Sequence, residues 1–320
     1  MPAKIRMLLA ACCLCPLALV AGPQVPALNW VERSDWVNVK TDVTPGAVGD
    51  RAADDTAALQ KAFAGAKDGG VIYLPAGTYR ITDTVRMKVG RSPAEGPAHR
   101  VLGLMVVGHG RDTRLVWDGP AGKEMLEESG ATMSRYVGMT FDGRGKATVG
   151  LHHRGEQGTF ETEVGHRHLA FLNLTDAGIL AAVQPATAEV MIENCLFDHC
   201  KRGVALLNWN EYDYTIDGCE FHACETAVDC LHGNTYVRNC RFVGSTGVDI
   251  RLNPAHGCSV RRCISSGSRM FVEYGNPVAP LTIQDCRVSG WTNPDGEVSV
   301  GGAPVVIFDC VFAGAPGKMP

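Results

Sequence analysis

Acidic side chains recur at matching places in the second half of this chain, and paired carboxylates can carry acid–base chemistry. Asp229, Asp249 and Glu273 each lie in a short apolar segment, and Arg251 follows Asp249 by two residues. Two carboxyl groups a few ångströms apart can supply the acid and the base that cleave a glycosidic bond. One carboxyl with a raised pKa would serve as the acid. Alternatively, both carboxylates stay ionised around a cation such as Ca²⁺.

Asp229 and Asp249 are expected to be neighbours on adjacent strands. When the apolar segments are aligned on their first residues, the two aspartates occupy the same position. Side chains alternate along a strand and neighbouring strands are about 4.8 Å apart, so both would point outward about 5 Å apart. Arg251 and Glu273 are expected to be neighbours in the same way. Like charges facing each other are unfavourable, so the pair either has a chemical role or is a solvated pair relieved by Arg251.

The turns that follow these segments are rich in groups that bind sugars. Aromatic rings can stack on sugar rings, and amide and imidazole groups can hydrogen-bond to hydroxyls. The coincidence on successive repeats predicts a substrate groove, although asparagine also serves simply to close tight turns. The expected substrate-binding residues are Asn208, Trp209, Tyr212, Asn234, His256, Tyr274 and Asn276.

A repeated phrase containing cysteine indicates the architecture that positions these residues. Six cysteines follow one another at steps of 24, 21, 23, 23 and 24 residues: Cys195, Cys219, Cys240, Cys263, Cys286 and Cys310. A fixed period of this length indicates one structural unit stacked on itself. Each unit holds two short alternating strands and has no room for a helix. The sequence therefore predicts an all-β, single-stranded parallel β-helix.

The cysteines are expected to be buried rather than to bind metal. Thirteen cysteines are present, and the six that share one phase of the repeat should stack as an interior column of thiols. Cys200 and Cys224 form a second column, for which a disulfide is favoured because the chain is expected to be exported. No Cys-x-x-Cys occurs after the first 27 residues. The close histidines His152, His153, His166 and His168 are interpreted as solvated loop residues rather than as ligands.

The N-terminal residues 1–27 have the pattern of an export signal. Lys4 and Arg6 precede an almost wholly apolar stretch, which predicts a secreted or periplasmic protein. Leu9–Cys12 also fits a lipoprotein box, which leaves lipid anchoring at Cys12 as a minor alternative. The mature domain would span residues 28–320, with a capping segment at 28–85 and repeating coils at 100–312. Later residues contain no membrane span, and a net charge of −4 excludes a basic surface for nucleic acid. The sequence is compatible with an oligomeric assembly.

One segment resembles a known family. An amphipathic helix is expected from about Thr56 to Ala66, capped by Asp54 or Asp55 and covering the end of the solenoid. The stretches 46–50 and 54–60, which lead into this helix, and the Gly-Gly-Val-Ile-Tyr-Leu-Pro-Ala-Gly-Thr-Tyr of residues 69–79 resemble the N-terminal segment of the pectate lyase superfamily, with Arg51 in place of the usual glycine. The resemblance includes polygalacturonase-related proteins of the rhamnogalacturonase and epimerase-like group. It implies a right-handed parallel β-helix and a carbohydrate ligand.

Three functions follow from these observations. The first is hydrolysis of a uronate-containing or other polysaccharide, with the acid and base drawn from Asp229, Asp249 and Glu273 and with no cofactor required. The second is a lyase, in which Arg251 or His232 removes the C5 proton of a uronate and bound Ca²⁺ offsets its charge. The third is a β-helix that binds glycans or serves as a structural element without turnover.

Overall fold

The computed structural model describes residues 25–88, 101–130, 132–154, 161–183, 187–208, 211–254, 256–300, 302 and 304–314. Residues 1–24 of the expected signal, including Cys12, lie outside this part of the chain, and so does Trp209. The helix in the described residues has nine residues, and none of these residues forms a helix that could span a bilayer.

The described residues form one helix and a long series of short strands. The first group comprises β1 (Val37–Asn38), β2 (Asp50–Asp54), α1 (Thr56–Ala64), β3 (Val71–Leu74), β4 (Gly77–Ile81), β5 (Val85–Lys88), β6 (Met105–Gly108), β7 (Thr113–Trp117), β8 (Leu126–Ser129), β9 (Arg135–Asp142) and β10 (Val149–Arg154). The middle group comprises β11 (Glu161–Thr162), β12 (Gly165–Leu172), β13 (Ala177–Val183), β14 (Thr187–Ala188), β15 (Met191–Glu193), β16 (Leu196–Asp198), β17 (Arg202–Leu206), β18 (Tyr214–Asp217), β19 (Glu220–His222) and β20 (Thr226–Cys230). The last group comprises β21 (Thr235–Arg238), β22 (Arg241–Val243), β23 (Val248–Leu252), β24 (Cys258–Arg261), β25 (Ile264–Ser266), β26 (Val272–Tyr274), β27 (Leu281–Gln284), β28 (Arg287–Ser289), β29 (Val298–Val300), β30 (Val305–Phe308) and β31 (Val311–Ala313).

These strands stack as coils of a parallel β-helix. One sheet has nine strands, in the order β5-β8-β10-β13-β17-β20-β23-β26-β29, so strands of successive coils lie side by side. Twenty of the other strands form a second sheet, and β11 pairs with β14 in a small third sheet. Neighbouring strands in the nine-stranded sheet are parallel. The all-β fold predicted from the repeat is confirmed.

A left-handed residue explains the repeated phrase. Asn194, Gly218 and Asn239, each directly before a cysteine, have φ of 52°, 63° and 55°. Glycine and asparagine adopt this conformation at the lowest cost. The residue bends the chain between the two strands of a coil, such as β15 and β16, and turns the following cysteine into the core.

One column of the interior is a stack of identical side chains. Aromatic rings from five successive coils lie nearly parallel, with centroids 4.8 to 5.1 Å apart: Phe141, Phe171, Phe197, Phe221 and Phe242. The coil spacing imposes this separation, which suits offset stacking of rings. The column leaves no room for larger neighbours, because a Cβ on Gly203 would lie 2.7 Å from the Phe221 ring.

The thiol column is confirmed, and the expected disulfide is wrong. Five of the six cysteines at this phase are buried, Cys310 is partly exposed, and all six are free. The thiols donate hydrogen bonds to backbone carbonyl oxygens. The Cys219 thiol, for example, donates to Ile192 O at 3.4 Å. Cys200 and Cys224 are also free thiols in the core. Both hydrogen-bond to carbonyl groups, as the first column does.

The capping helix lies where the sequence places it. α1 buries Leu59 and Phe63 against the first coils. Asp54 Oδ1 accepts hydrogen bonds from the Thr56 amide at 3.1 Å and from its hydroxyl at 2.6 Å, so its side chain supports the first turn. The Asp55 carboxylate instead binds the preceding loop, accepting the Val48 amide at 2.6 Å.

Candidate active site

A row of alternating charges crosses the outer face of the nine-stranded sheet. The strand register pairs Asp229 of β20 with Arg251 of β23, and Arg251 with Glu273 of β26. Arg251 Nε donates to Glu273 Oε2 at 3.0 Å, and Arg251 Nη1 lies 3.8 Å from Asp229 Oδ2. Arg202 Nη1 lies 3.8 Å from the same aspartate oxygen and its guanidinium also pairs with Asp176. The predicted contact of Arg251 with Glu273 is confirmed.

The two acids of this row differ in their surroundings. Asp229 is 5% exposed, and burial raises the pKa of its carboxyl although the two arginines act to lower it. Its Oδ1 is buried and has no hydrogen-bond partner among the described residues. The Glu273 side chain is 45% exposed. Because one planar guanidinium contacts both carboxylates, the contacting oxygens are at most about 9 Å apart.

The predicted stacking of Asp229 on Asp249 is wrong. The register places Thr226 opposite Val248 and Val228 opposite Ile250, so Asp249 lies opposite Ala227, two residues from the expected position. Asp249 is fully buried. It lies inside the solenoid and not on the outer face, in contact with Ser265.

The corner of each coil explains the burial of Asp249. Gly203, at the same level of an earlier coil, faces the Phe221 ring. One coil beyond Phe242 the ring is replaced by Ser265, whose hydroxyl donates to Asp249 Oδ2. Burial raises the pKa of Asp249 to about 6, although hydrogen bonds from nearby serines act to lower it. A buried carboxyl and serine hydroxyls thus occupy the space that aromatic rings fill elsewhere.

Three of the expected substrate-binding residues lie in neighbouring turns. The rings of Tyr212 and His256 are 5.2 Å apart and tilted by 58°. Asn234 Nδ2 donates to Asp213 Oδ1 at 2.7 Å, and Asn234 Oδ1 accepts the Asp213 amide at 2.8 Å. Asn234 therefore closes a turn, and Tyr212 and His256 are the members of this group that offer partly exposed rings.

The other expected binding residues are less accessible or hold turns. Tyr274 is 1% exposed and donates to Ala279 O at 2.6 Å, so the prediction that its ring stacks on a sugar is wrong. Asn276 Oδ1 accepts the Ala279 amide at 3.0 Å and organises its own turn. Asn208 is buried. His232, the alternative base, is exposed in the turn after β20.

The interpretation of the close histidines as solvated loop residues is wrong for three of them. His152, His153 and His166 are buried. His153 Nε2 lies 2.8 Å from His166 Nε2, and His153 Nδ1 lies 2.9 Å from Glu161 Oε2. The available signal was the register of the repeat: His153 aligns with Ala181, whose side chain is in the core.

A concave surface lies on the other side of the solenoid. A cavity of about 470 Å³ opens on the twenty-stranded sheet beside the N-terminal segment. Trp30 lines it together with Arg135, Arg167, Glu189 and Glu193. It contains none of the acids predicted from the sequence and is a second surface on which a sugar could bind.

Comparisons with known proteins agree with this architecture. Residues 36–91 match the family model described as rhamnogalacturonase A/epimerase, pectate lyase-like, and residues 177–318 match the model of a right-handed β-helix region. Mannuronan C5-epimerase AlgE3 of Azotobacter vinelandii is 43% identical over 73 residues, which are 22% of this chain and 4% of that protein. AlgE5 of the same organism is 38% identical over 80 residues, 7% of its length. The chain thus matches only a small part of these relatives.

Solved structures share the fold at low identity. Endo-xylogalacturonan hydrolase from Aspergillus tubingensis is 12% identical, with a TM-score of 0.59 over 85% of this chain and 92% of that one. Alginate lyase from Paenibacillus sp. strain FPU-7 is 14% identical, with a TM-score of 0.54 over 81% and 95%. The fold predicted from the repeat, the strand register and both family models agree. The chain is a right-handed parallel β-helix protein, and its residues 36–91 match a pectate lyase-like family model.

Proposed function

We propose that this protein is a carbohydrate-active enzyme that hydrolyses a uronate-containing polysaccharide on the outer face of its nine-stranded sheet. The observation that carries the proposal is the pair Asp229 and Glu273, held on either side of Arg251. Their environments differ in the way that an acid and a base require.

Asp229 is the proposed general acid. Its desolvated carboxyl has a raised pKa, which favours the protonated form at a pH where free aspartate is ionised. In the proposed step Asp229 gives its proton to the glycosidic oxygen while the bond from that oxygen to the anomeric carbon breaks. Glu273 takes a proton from the water whose oxygen forms the new bond to that carbon.

The separation of the two acids favours inversion at the anomeric carbon. Asp229 and Glu273 lie two coils apart, about 10 Å at the backbone, and the shared guanidinium keeps their oxygens within about 9 Å. Inverting glycosidases keep their carboxyl groups roughly 6.5–9.5 Å apart, and retaining ones about 5 Å. The proposed product therefore has inverted anomeric configuration.

The comparisons support the substrate class. The curated relatives are named for an epimerase of mannuronan, and the two similar folds for a hydrolase of xylogalacturonan and an alginate lyase. All three names refer to polysaccharides that contain uronates. These matches cover a short segment or have low identity, so they support only a class of ligand. The type of reaction is inferred from the residues of the site.

Removal of the C5 proton of a uronate is the second candidate, and the epimerase relatives favour it. Of the two bases expected from the sequence, Arg251 is held between the carboxylates of Asp229 and Glu273. His232 is exposed and is the remaining base. A divalent cation such as Ca²⁺ would then offset the charge of the substrate carboxylate.

An activity panel tests the reaction. The mature protein is incubated with pectin, polygalacturonate, xylogalacturonan and alginate, with and without EDTA. We expect new reducing ends without absorbance from unsaturated uronate, and no effect of EDTA. EDTA-sensitive absorbance would move the assignment to a lyase. Altered uronate composition without cleavage would move it to an epimerase, and binding without turnover would leave a glycan-binding β-helix.

Matched variants test the location of the site. Asp229→Asn and Glu273→Gln are expected to lower kcat by about 10²–10⁴-fold, the usual contribution of a general acid or base. Glu220→Gln, on the other sheet, is the control and is expected to keep activity. Trp30→Ala probes the concave surface. Loss of activity in Trp30→Ala together with full activity in Asp229→Asn would refute the assignment to the nine-stranded sheet.

A further inference from the structure

We propose that Glu128, His153 and Glu161 bind a divalent transition-metal ion inside the solenoid. All three side chains are buried, and one potential ligand atom from each lies within 4.8 Å of the others. No metal-binding motif of the sequence points to this site. It is separate from the charged row on the outer face and independent of the proposed reaction.

The distances suit a small cation with nitrogen and oxygen ligands. His153 Nδ1 lies 2.9 Å from Glu161 Oε2 and 3.8 Å from Glu128 Oε2. A point equidistant from three atoms at these separations lies roughly 1.9–2.4 Å from each, and zinc binds histidine nitrogen and carboxylate oxygen at about 2.0–2.2 Å. The side chains therefore need little movement to coordinate an ion.

The hydrogen bonds of the two histidines leave a lone pair facing the carboxylates. His166 Nδ1 lies 3.4 Å from the Met191 carbonyl oxygen, which only accepts, so His166 carries its proton on Nδ1. Neutral His166 then accepts at Nε2, and His153 must donate from its own Nε2, 2.8 Å away. Neutral His153 is left with an unprotonated Nδ1, the atom that approaches Glu161 and Glu128. Three lone-pair donors converge, which is the arrangement of a cation site.

Unsatisfied oxygen atoms give a second, independent sign. Glu128 is fully buried, and its Oε1 has no hydrogen-bond partner within the part of the chain that the structure describes. An unpaired carboxylate in a core is costly. The Glu128 and Glu161 carboxyl oxygens lie 3.8 and 2.9 Å from the unprotonated Nδ1 of His153. Two carboxylates and a neutral imidazole together balance the charge of one divalent ion.

Outer contacts already orient the proposed ligands. The Tyr136 hydroxyl donates to Glu128, and the Gly130 amide donates to Glu161 Oε1 at 2.7 Å. His166 fixes the ring of His153 and is itself stacked on Tyr136, with ring centroids 5.8 Å apart. Metal ligands in proteins are held in place by such outer hydrogen bonds. On the flanking coils the positions of Glu128 and His153 are taken by Met87 and Ala181, so this row of side chains is apolar on either side of the pair.

Because the ligands are buried, the ion is expected to enter as the chain folds and to staple β8, β10 and β11 together. The first test is metal analysis of the full-length protein purified without chelators or a histidine tag. We expect about one equivalent of a divalent transition metal per chain, lost in Glu161→Gln and retained in Asp249→Asn. Asp249→Asn is the matched control because Asp249 is also a buried carboxyl with a raised pKa, far from the site in the chain.

Refolding of the wild-type chain tests the proposal without any variant, and so applies even if the ligand variants fail to fold. The wild-type chain is unfolded, stripped of metal and refolded with Zn²⁺, with Co²⁺ or with chelator alone. We expect either ion to raise the melting temperature by at least about 5 °C, and Co²⁺ to give the visible absorption of a low-coordinate site. Identical folding and melting with chelator alone would overturn the proposal. So would equal metal content in wild type and Glu161→Gln, which would indicate an adventitious surface ion.

Discussion

Replacing Asp249 by asparagine should change the pH dependence of stability and leave catalysis intact. The side chain is fully buried against Ser265, and burial raises the pKa of its carboxyl to about 6. Asparagine has the same shape and no titrating proton, and serine hydroxyls can accept from its amide as well as donate to it. The substitution therefore removes the ionisation of Asp249 without emptying its site.

The size of the effect follows from proton linkage. The unfolded chain has an ordinary aspartate pKa of about 3.9. The folded state binds this proton more tightly, so the contribution of Asp249 to stability is complete below pH 3.9 and is lost as the pH rises through about 6. The whole loss is about 3 kcal/mol, and the part between pH 5 and pH 8 is about 1–2 kcal/mol. The asparagine of the variant stays neutral at every pH and therefore escapes this loss.

Melting curves of wild type and Asp249→Asn at pH 5 and pH 8 measure the difference. We expect the melting temperature of the variant, relative to wild type, to be about 2–6 °C more favourable at pH 8 than at pH 5. Glu225→Gln, which changes an exposed acid on the preceding coil, is the control and should run parallel to wild type. An equal offset of Asp249→Asn at both pH values would refute the placement of this carboxyl in the core. Loss of turnover in a fully folded Asp249→Asn would restore the aspartate pair that the sequence indicated.

Two further predictions test the packing of the solenoid. Phe221→Ala removes a ring stacked between Phe197 and Phe242, at centroid distances of 4.8 and 5.0 Å, and should lower the free energy of unfolding by about 3–5 kcal/mol in urea titration. Gly203→Ala should cost about 1–3 kcal/mol in the same assay, because the new Cβ would lie 2.5 Å from the Ala227 carbonyl oxygen; an unchanged midpoint would contradict the contact.

The repeat made the fold predictable because each coil has the same local pattern of backbone conformation and inward side chains. A residue that tolerates positive φ, then an inward cysteine, then an inward phenylalanine, recurs from Asn194 to Phe242. Period and alternation suffice to infer a stack of coils with a thiol column. The helix before β3 was also predictable, since its apolar face and the two aspartates that precede its first residue are local features.

The details of the active site were less predictable because the register between coils is set by turns of unequal length. Alignment on Gly203 and Gly247 moved the fourth coil by two residues, since Thr226 and not Val228 lies opposite Val248. At the corner of a coil two consecutive residues point inward, as Asp249 and Ile250 do. Strict alternation assigns the first of them to the surface. The contact of Arg251 with Glu273 was found because both residues were shifted together.

The register between coils is also the reason why the buried polar residues around His153 were not predicted from the sequence. A histidine pair in an apolar strand has the composition of a loop, and only its register with Ala181 shows that one ring enters the core. The core also holds Glu128 and Glu161, each with a pKa raised by burial to about 8. Such groups lower stability at neutral pH unless a proton or a cation compensates them. If activity is lost in Asp229→Asn and stability depends on metal bound at Glu161, the catalytic acids and the structural acids of this chain are different residues. If turnover instead depends on the bound metal, the interior site and the outer face must be coupled through the strands between them.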